Sequence, residues 1–178
     1  MFIAAFDTET TGLIDNHTVK LDKQPEIIEI YCCIFNDKDG KIKHEFNTFI
    51  KPKVPITTEI TKITGITNAM VKDAPAYAKV SKDIMQMLND APVLTGHNLS
   101  FDTEMIAIEQ ERCKLPPLKL NRQVCTVEQT VHLRGIRLSL SVLHEYLFNE
   151  PFTGAHRAKV DVHAQVRCYM ELKKRGEI

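Results

Sequence analysis

Asp7 and Glu9 close a wholly apolar run, Phe2-Ile3-Ala4-Ala5-Phe6, that reads as a strand buried on both faces. Positions i and i+2 of a strand point to the same side, so the two carboxylates project into one small volume. Like charges that close repel each other and lose hydration, which calls for compensation. A divalent cation with oxygen ligands supplies it. Downstream stand His97-Asn98-Leu99-Ser100-Phe101-Asp102, and His156 followed five positions later by Asp161. Four acids and one histidine gathered by a fold suggest a two-metal phosphodiesterase.

Each of these residues also has a plainer account. In the expected last helix, Asp161 shares a face with Ala164, Cys168 and Leu172, so it is a carboxylate at the head of an apolar stripe. A first-turn acid complements the helix dipole without any metal, and only proximity to Asp7 and Glu9 decides otherwise. Asp102 falls in a first turn beside Phe101 and is open to the same account. On one continuous helix His156 and Asp161 would lie about 140° apart. Gly154 instead suggests that His156 sits in the loop entering the helix, where a neutral imidazole can take a proton from a water at the metal site. The other histidines (His17, His44, His97, His132, His144 and His163) are read as structural or exposed, with His97 hydrogen-bonding a backbone group at a strand end.

Positioning these residues requires a mixture of strands and helices. Glu26 to Phe35 and Lys41 to Ile50 read as strands joined by the turn Asp37-Lys38-Asp39-Gly40, an antiparallel hairpin. Gly12 to Gln24 reads as a polar loop. Pro75 suits a helix start, with Tyr77, Val80, Ile84, Met87 and Leu88 at helical spacing. Val93 to Gly96 is a short strand, and Gln123 to Thr126 a weakly signalled one. Asn98 is expected to cap a helix in which Phe101, Met105 and Ile108 share a face. Ser139 is expected to cap a segment burying Leu140, Leu143 and Leu147, and the last helix spans roughly Ala158 to Lys174. Strands first, then strands alternating with helices, give an α/β fold with a mixed sheet.

The 178 residues suit one domain, 1–178, and 43% apolar content suffices for a full core. No run of about 18 apolar residues occurs and no signal-peptide pattern opens the chain, so an intracellular, cytoplasmic protein without membrane contact is expected. The five cysteines lack C-x-x-C spacing and suggest reduced, mostly buried thiols. With 23 basic and 23 acidic residues, a nonspecific coater of duplex DNA is disfavoured. An enzyme gripping a few phosphates needs only a local positive rim, for which Arg134, Arg137, Arg157 and Lys159 are candidates, with solvated surface the plainer account of each.

Taken together, Phe6-Asp7-Thr8-Glu9-Thr10-Thr11-Gly12-Leu13, His97-Asn98-x-x-Phe101-Asp102 and His156-x-x-x-x-Asp161 resemble the three exonuclease motifs of the DEDDh family. The likeness is greatest to its proofreading-subunit (DnaQ-like) branch. Ile27-Ile28-Glu29-Ile30 matches the family's second strand; Ile63-Thr64-Gly65-Ile66-Thr67 with Asp73-Ala74-Pro75 matches its helix-leading segment. The chain departs from the pattern in a longer loop from Ile14 to Pro25, and in Tyr31, where glycine or alanine is usual. The segment Val124-Cys125-Thr126 lacks an aspartate that is frequent there.

The resemblance implies a ribonuclease H-like fold, a mixed central sheet with flanking helices. It implies that Asp7, Glu9, Asp102 and Asp161 hold two Mg²⁺ ions, with Mn²⁺ a substitute, and that His156 is the general base. Thr10 and Leu13 match positions that touch the terminal nucleotide in similar enzymes, with Leu13 packing on the last base and Phe101 offering a stacking face, while the plainer account places Leu13 and Phe101 in the core, Phe101 in phase with Met105 and Ile108. Thr64, standing where proofreading subunits often carry histidine, and Asn98 complete the expected substrate contacts. The implied activity is 3′-to-5′ removal of nucleotides from single-stranded or frayed DNA. An exoribonuclease trimming RNA or short oligoribonucleotides is the alternative, and a non-catalytic nucleic-acid-binding module is the alternative of another class.

Overall fold

In the computed structural model, which describes residues 1–15, 20–119, 121–152 and 154–178, a five-stranded sheet carries helices on both faces. The strands are β1 (Phe2–Thr10), β2 (Ile27–Asn36), β3 (Ile42–Phe49), β4 (Val93–Gly96) and β5 (Arg122–Cys125), in the order β3-β2-β1-β4-β5. The first three pair antiparallel, while β4 runs parallel to both β1 and β5. The helices are α1 (Thr58–Thr64), α2 (Asn68–Val71), α3 (Tyr77–Asp90), α4 (Leu99–Arg112), α5 (Thr126–Arg134), α6 (Leu140–Phe148) and α7 (Ala158–Arg175). This mixed sheet with flanking helices is the expected ribonuclease H-like arrangement.

Strand parity assigns the two faces. Ala4, Phe6, Ile30, Cys32 and Leu94 pack with Ile84 and Leu88 of α3 and Met105 and Ile106 of α4. Ile3, Ala5, Tyr31, Cys33 and Phe35 pack on the other face with Ala158, Val162, Val166 and Tyr169 of α7. Burying an aliphatic or aromatic side chain of this size contributes roughly 1.5–3 kcal/mol, so a one-residue slip of β1 would forfeit both layers at once. The same alternation carries Asp7 and Glu9 onto the α7 face and Thr8 onto the α4 face.

Three expectations shift. β1 does not end at Phe6: its pairing with β2 runs on through Thr8↔Ile30 and Glu9↔Glu29, so both acids lie within the strand. Asn98 stands at the α4 N-cap but makes no capping bond, because its backbone is left-handed (φ 67°). Helices α1, α2 and α5 were not expected. The first two are one or two turns long, with Thr57 and Thr67 hydroxyls accepting from Ile60 and Met70 N–H groups. In α5 the buried side chains are Thr126, Val127 and Thr130, and two threonines mute the apolar periodicity.

Among the described residues no helix is long and apolar enough to cross a membrane. His17 lies outside the described residues.

Candidate active site

The site is built where the central strand leaves its helical cover. Ile3 and Ala5 rest on α7, and two residues further along the same face Asp7 and Glu9 emerge at its N-terminus, beside Asp161. One carboxylate oxygen from each of Asp7, Glu9 and Asp161 lies within 4.8 Å of the others. Proximity thus overrides the dipole-only account of Asp161. The stripe behind it is apolar as expected: Ala164, Cys168 and Leu172 are all buried, the last two against Leu143 and Leu147 of α6.

Asp102 reaches the same region from the opposite face. Its Oδ1 accepts from the Thr8 N–H at 2.9 Å and the Thr8 hydroxyl at 2.7 Å, and the side chain is buried. The close approach of β4 to β1 depends on Gly96, where a Cβ would meet the Phe6 carbonyl oxygen at 3.2 Å and the Leu99 side chain at 3.1 Å. A side chain there would need the Phe6 carbonyl and the Leu99 side chain to give way slightly.

The electrostatics follow from four acids sharing little solvent. Burial first, then the charges of Asp102, Glu9 and Asp161, push the Asp7 carboxyl well above its ordinary range. Burial, then Asp161 and Glu29, push Glu9 up to about 8. Burial takes Asp102 to about 7 against the opposing pull of the two Thr8 bonds. Asp161 is also raised by burial, opposed by N–H bonds from His156 and Arg157. Such a cluster of oxygen donors with unbalanced charge fits hard divalent cations.

His156 sits in the turn entering α7, as expected, with a left-handed backbone (φ 68°), and it lines the cleft. Its N–H donates to Asp161 Oδ2 at 2.8 Å and that of Arg157 to the same oxygen at 3.2 Å. His97 also borders the cleft, but both ring nitrogens are engaged, with Thr126 Oγ1 and with the Leu138 carbonyl, each at 3.0 Å. Burial lowers its pKa to about 4, so it is neutral and structural, as anticipated.

The acids open into a cleft of about 520 Å³. Leu13, Asn98 and Phe101 line it, and Leu13 is 85% exposed. Phe101 packs partly on the α4-side core, as its core reading has it, and also borders the cleft, whereas the exposed Leu13 does not enter the core. Two expected contacts are not brought there. The Thr10 hydroxyl donates to the Gly12 carbonyl at 2.6 Å, and the buried Thr64 hydroxyl bonds the Ile60 carbonyl and the Ile66 N–H. Ser139, Leu140 and Ser141 also border the cleft at the start of α6, where the sequence signals only the cap that Ser139 also is and an apolar position at Leu140.

Each of the four rim candidates is engaged by another side chain, and Arg137 also donates to the cleft-lining Asn98. Arg157 pairs with Glu29, Lys159 with Glu45 at 3.0 Å and Arg137 with Glu128, while Arg134 stacks over Tyr146. Glu29 is the second omission, and its signal was a lone charge in the run Ile27-Ile28-Glu29-Ile30.

Comparison with known proteins bears on this geometry. Residues 4–169 match the family model RNase T, described as exonuclease. The PolC-type DNA polymerase III of Caldanaerobacter subterraneus subsp. tengcongensis is 35% identical over 176 residues, 97% of this chain but 12% of that protein. The DNA polymerase III subunit epsilon of Treponema pallidum is 36% identical over 114 residues, 64% of this chain and 48% of that protein. The chain therefore spans half or less of the length of these relatives. Among solved structures, the nuclease domain of 3′hExo, a DEDDh family member bound to rAMP, superposes with a TM-score of 0.79 at 17% identity, covering 98% of this chain and 92% of that one. Exonuclease X in complex with 5′ overhanging duplex DNA gives 0.65 at 24% identity, covering 98% and 93%. At such identities these structures speak to the fold.

Proposed function

Because this chain belongs to the RNase T exonuclease family, we propose that residues 1–178 act as one domain that removes nucleotides from the 3′ ends of single-stranded or frayed DNA. The observation that carries this reading is the meeting of Asp7, Glu9 and Asp161 oxygens within 4.8 Å, with Asp102 held beside them by Thr8. The family depends on divalent metal. Asp7, Glu9, Asp102 and Asp161 would hold two Mg²⁺ ions, and Mn²⁺ would substitute. Bound there, such ions supply positive charge that acidifies a water and offsets the charge growing on the phosphate and the leaving 3′ oxygen.

The rest falls to the side chains. His156, at the edge of the cleft, accepts the proton of the attacking water at a ring nitrogen. Leu13 packs on the terminal base and Phe101 on its neighbour, holding the last phosphodiester over the acids. A non-catalytic module has no use for four carboxylates raised by burial and, at Asp7, Glu9 and Asp102, also by their acidic neighbours.

The preference for DNA rests on the two relatives whose names are those of DNA polymerase III components. A second reading, trimming of RNA, is favoured by the rAMP in a structural neighbour. Matched DNA and RNA oligomers labelled at the 5′ end, incubated with Mg²⁺ or with EDTA, test all of this. Stepwise shortening of the DNA with Mg²⁺ alone is expected. Absence of hydrolysis under both conditions would leave the binding module as the surviving account.

A further inference from the structure

His156 holds a backbone conformation that side-chain-bearing residues rarely adopt, so something must impose it. The bonds from His156 and Arg157 N–H to Asp161 close the turn on its own helix and do not tie it to the sheet. That tie comes from Arg157. Its Nε and Nη2 donate to Glu29 Oε2 at 3.0 Å and Oε1 at 2.9 Å, a bidentate fork, and the Ala158 N–H adds a third bond to Oε2 at 3.3 Å. Glu29 is 2% exposed and stands on β2 directly opposite Glu9. Strand parity places it with Tyr31 and Cys33 on the α7 face, aimed at the helix entrance. The guanidinium is seated further by the Phe49 ring, 5.5 Å away.

We propose that Glu29 and Arg157 are positioning residues: their ion pair fixes the His156 turn relative to the strand that carries Asp7 and Glu9. A planar, two-point pair sets orientation as well as distance, which a lysine cannot reproduce. Placement errors near 1 Å cost about a hundredfold in rate, so a turn left to pivot would slow proton removal while leaving the four acids in place. The inference rests on the reading of His156 as general base.

Its test is a mutant cycle on end-labelled oligomers under saturating Mg²⁺. Arg157→Ala and Glu29→Gln should each lower kcat by about 10- to 100-fold, with KM little changed. Arg157→Lys should recover only part of the loss, and added guanidinium ion should restore much of the Arg157→Ala rate. In a His156→Ala background, Arg157→Ala should cost nothing more, because the pair acts through the imidazole. Losses that multiply, or an Arg157→Lys enzyme with full kcat, overturn the inference while the base assignment stands. A His156→Ala enzyme with the wild-type rate overturns the base assignment itself, and the inference with it. Amide exchange over residues 154–158 gives a readout free of activity: faster exchange in Glu29→Gln supports the tie, and unchanged exchange overturns it.

Discussion

Thr8 and Asp102, 94 residues apart in the chain, meet at a single atom: the Thr8 N–H and hydroxyl both donate to Asp102 Oδ1. Strand alternation explains the meeting. Thr8 follows Ala4 and Phe6 onto the α4 face, while Asp7 and Glu9 on either side of it turn towards α7. The sheet thus presents acids from one face and orients the fourth acid from the other. With Oδ1 occupied, Oδ2 is the oxygen left for a cation.

Thr8→Val keeps the shape and the backbone donor and removes only the hydroxyl. A hydrogen bond to a charged group contributes about 1.5–3 kcal/mol. Half-saturating Mg²⁺ should therefore rise by roughly ten- to a hundredfold, with kcat at saturating metal close to wild type. A titration of activity against Mg²⁺ checks this, and an unchanged midpoint would remove Thr8 from the account.

Without metal, the acid cluster should make stability fall as pH rises. Glu9 titrates at about 8 and Asp102 at about 7 in the folded protein, against about 4 for free carboxyl groups. The folded state then binds more protons than the unfolded state across that interval. The stabilising contribution is complete below about pH 4 and is lost as pH climbs through 7 to 8. In EDTA, Tm should drop from about pH 5.5 to about pH 8.5, and Glu9→Gln should flatten the slope. A Glu9→Gln profile parallel to wild type contradicts the assignment.

Neutralising a ligand and removing the base should look different. Asp7→Asn or Asp161→Asn should abolish turnover, yet leave the metal-free protein as stable as wild type or more so, since like-charge repulsion is relieved. His156→Ala should lower the rate by about 10²–10⁴-fold with metal affinity nearly intact. Calorimetric titration with Mn²⁺ separates the two classes. Failure of His156→Ala to bind the ion would make the imidazole a ligand instead.

What could be read from the chain was what repeats locally. Val93–Gly96 and the start of α7 at Ala158 stand where the apolar pattern put them, and parity alone aligned Asp7 with Glu9. What escaped was long-range or locally silent. Nothing near Arg157 announces a partner 128 residues away, so its neighbours leave it open as a solvated cation or a phosphate contact. Thr64 was carried over from a matching position, but its hydroxyl is used up by its own helix end. Asn98 looked like a cap, yet its left-handed backbone turns the side chain to accept from Arg137 at 2.8 Å. Ser139 and Ser141 border the cleft where α6 packs on α7 and His97 bonds the Leu138 carbonyl just before it, long-range contacts that no periodicity encodes.

The exposure of Leu13 bears on which ends are attacked. An apolar side chain 85% exposed at the mouth of an acid-lined cleft gains most from packing on an unpaired terminal base. A paired base must first unstack, at a cost of a few kcal/mol. Because about 1.4 kcal/mol is tenfold, a 3′ overhang should be trimmed at least about tenfold faster than a blunt duplex. Leu13→Ala should narrow that ratio by weakening the grip on the frayed base, with little effect on Mg²⁺ dependence. A 3′-phosphate should slow the first step by bringing extra negative charge beside Asp7 and Glu9. Digestion of 5′-labelled DNA and RNA oligomers with overhanging, blunt and 3′-phosphorylated ends measures each effect in one gel. Label released as the first product would reverse the polarity, and much faster loss of the RNA would replace DNA as the substrate. A blunt duplex degraded as fast as the overhang would take Leu13 out of end recognition.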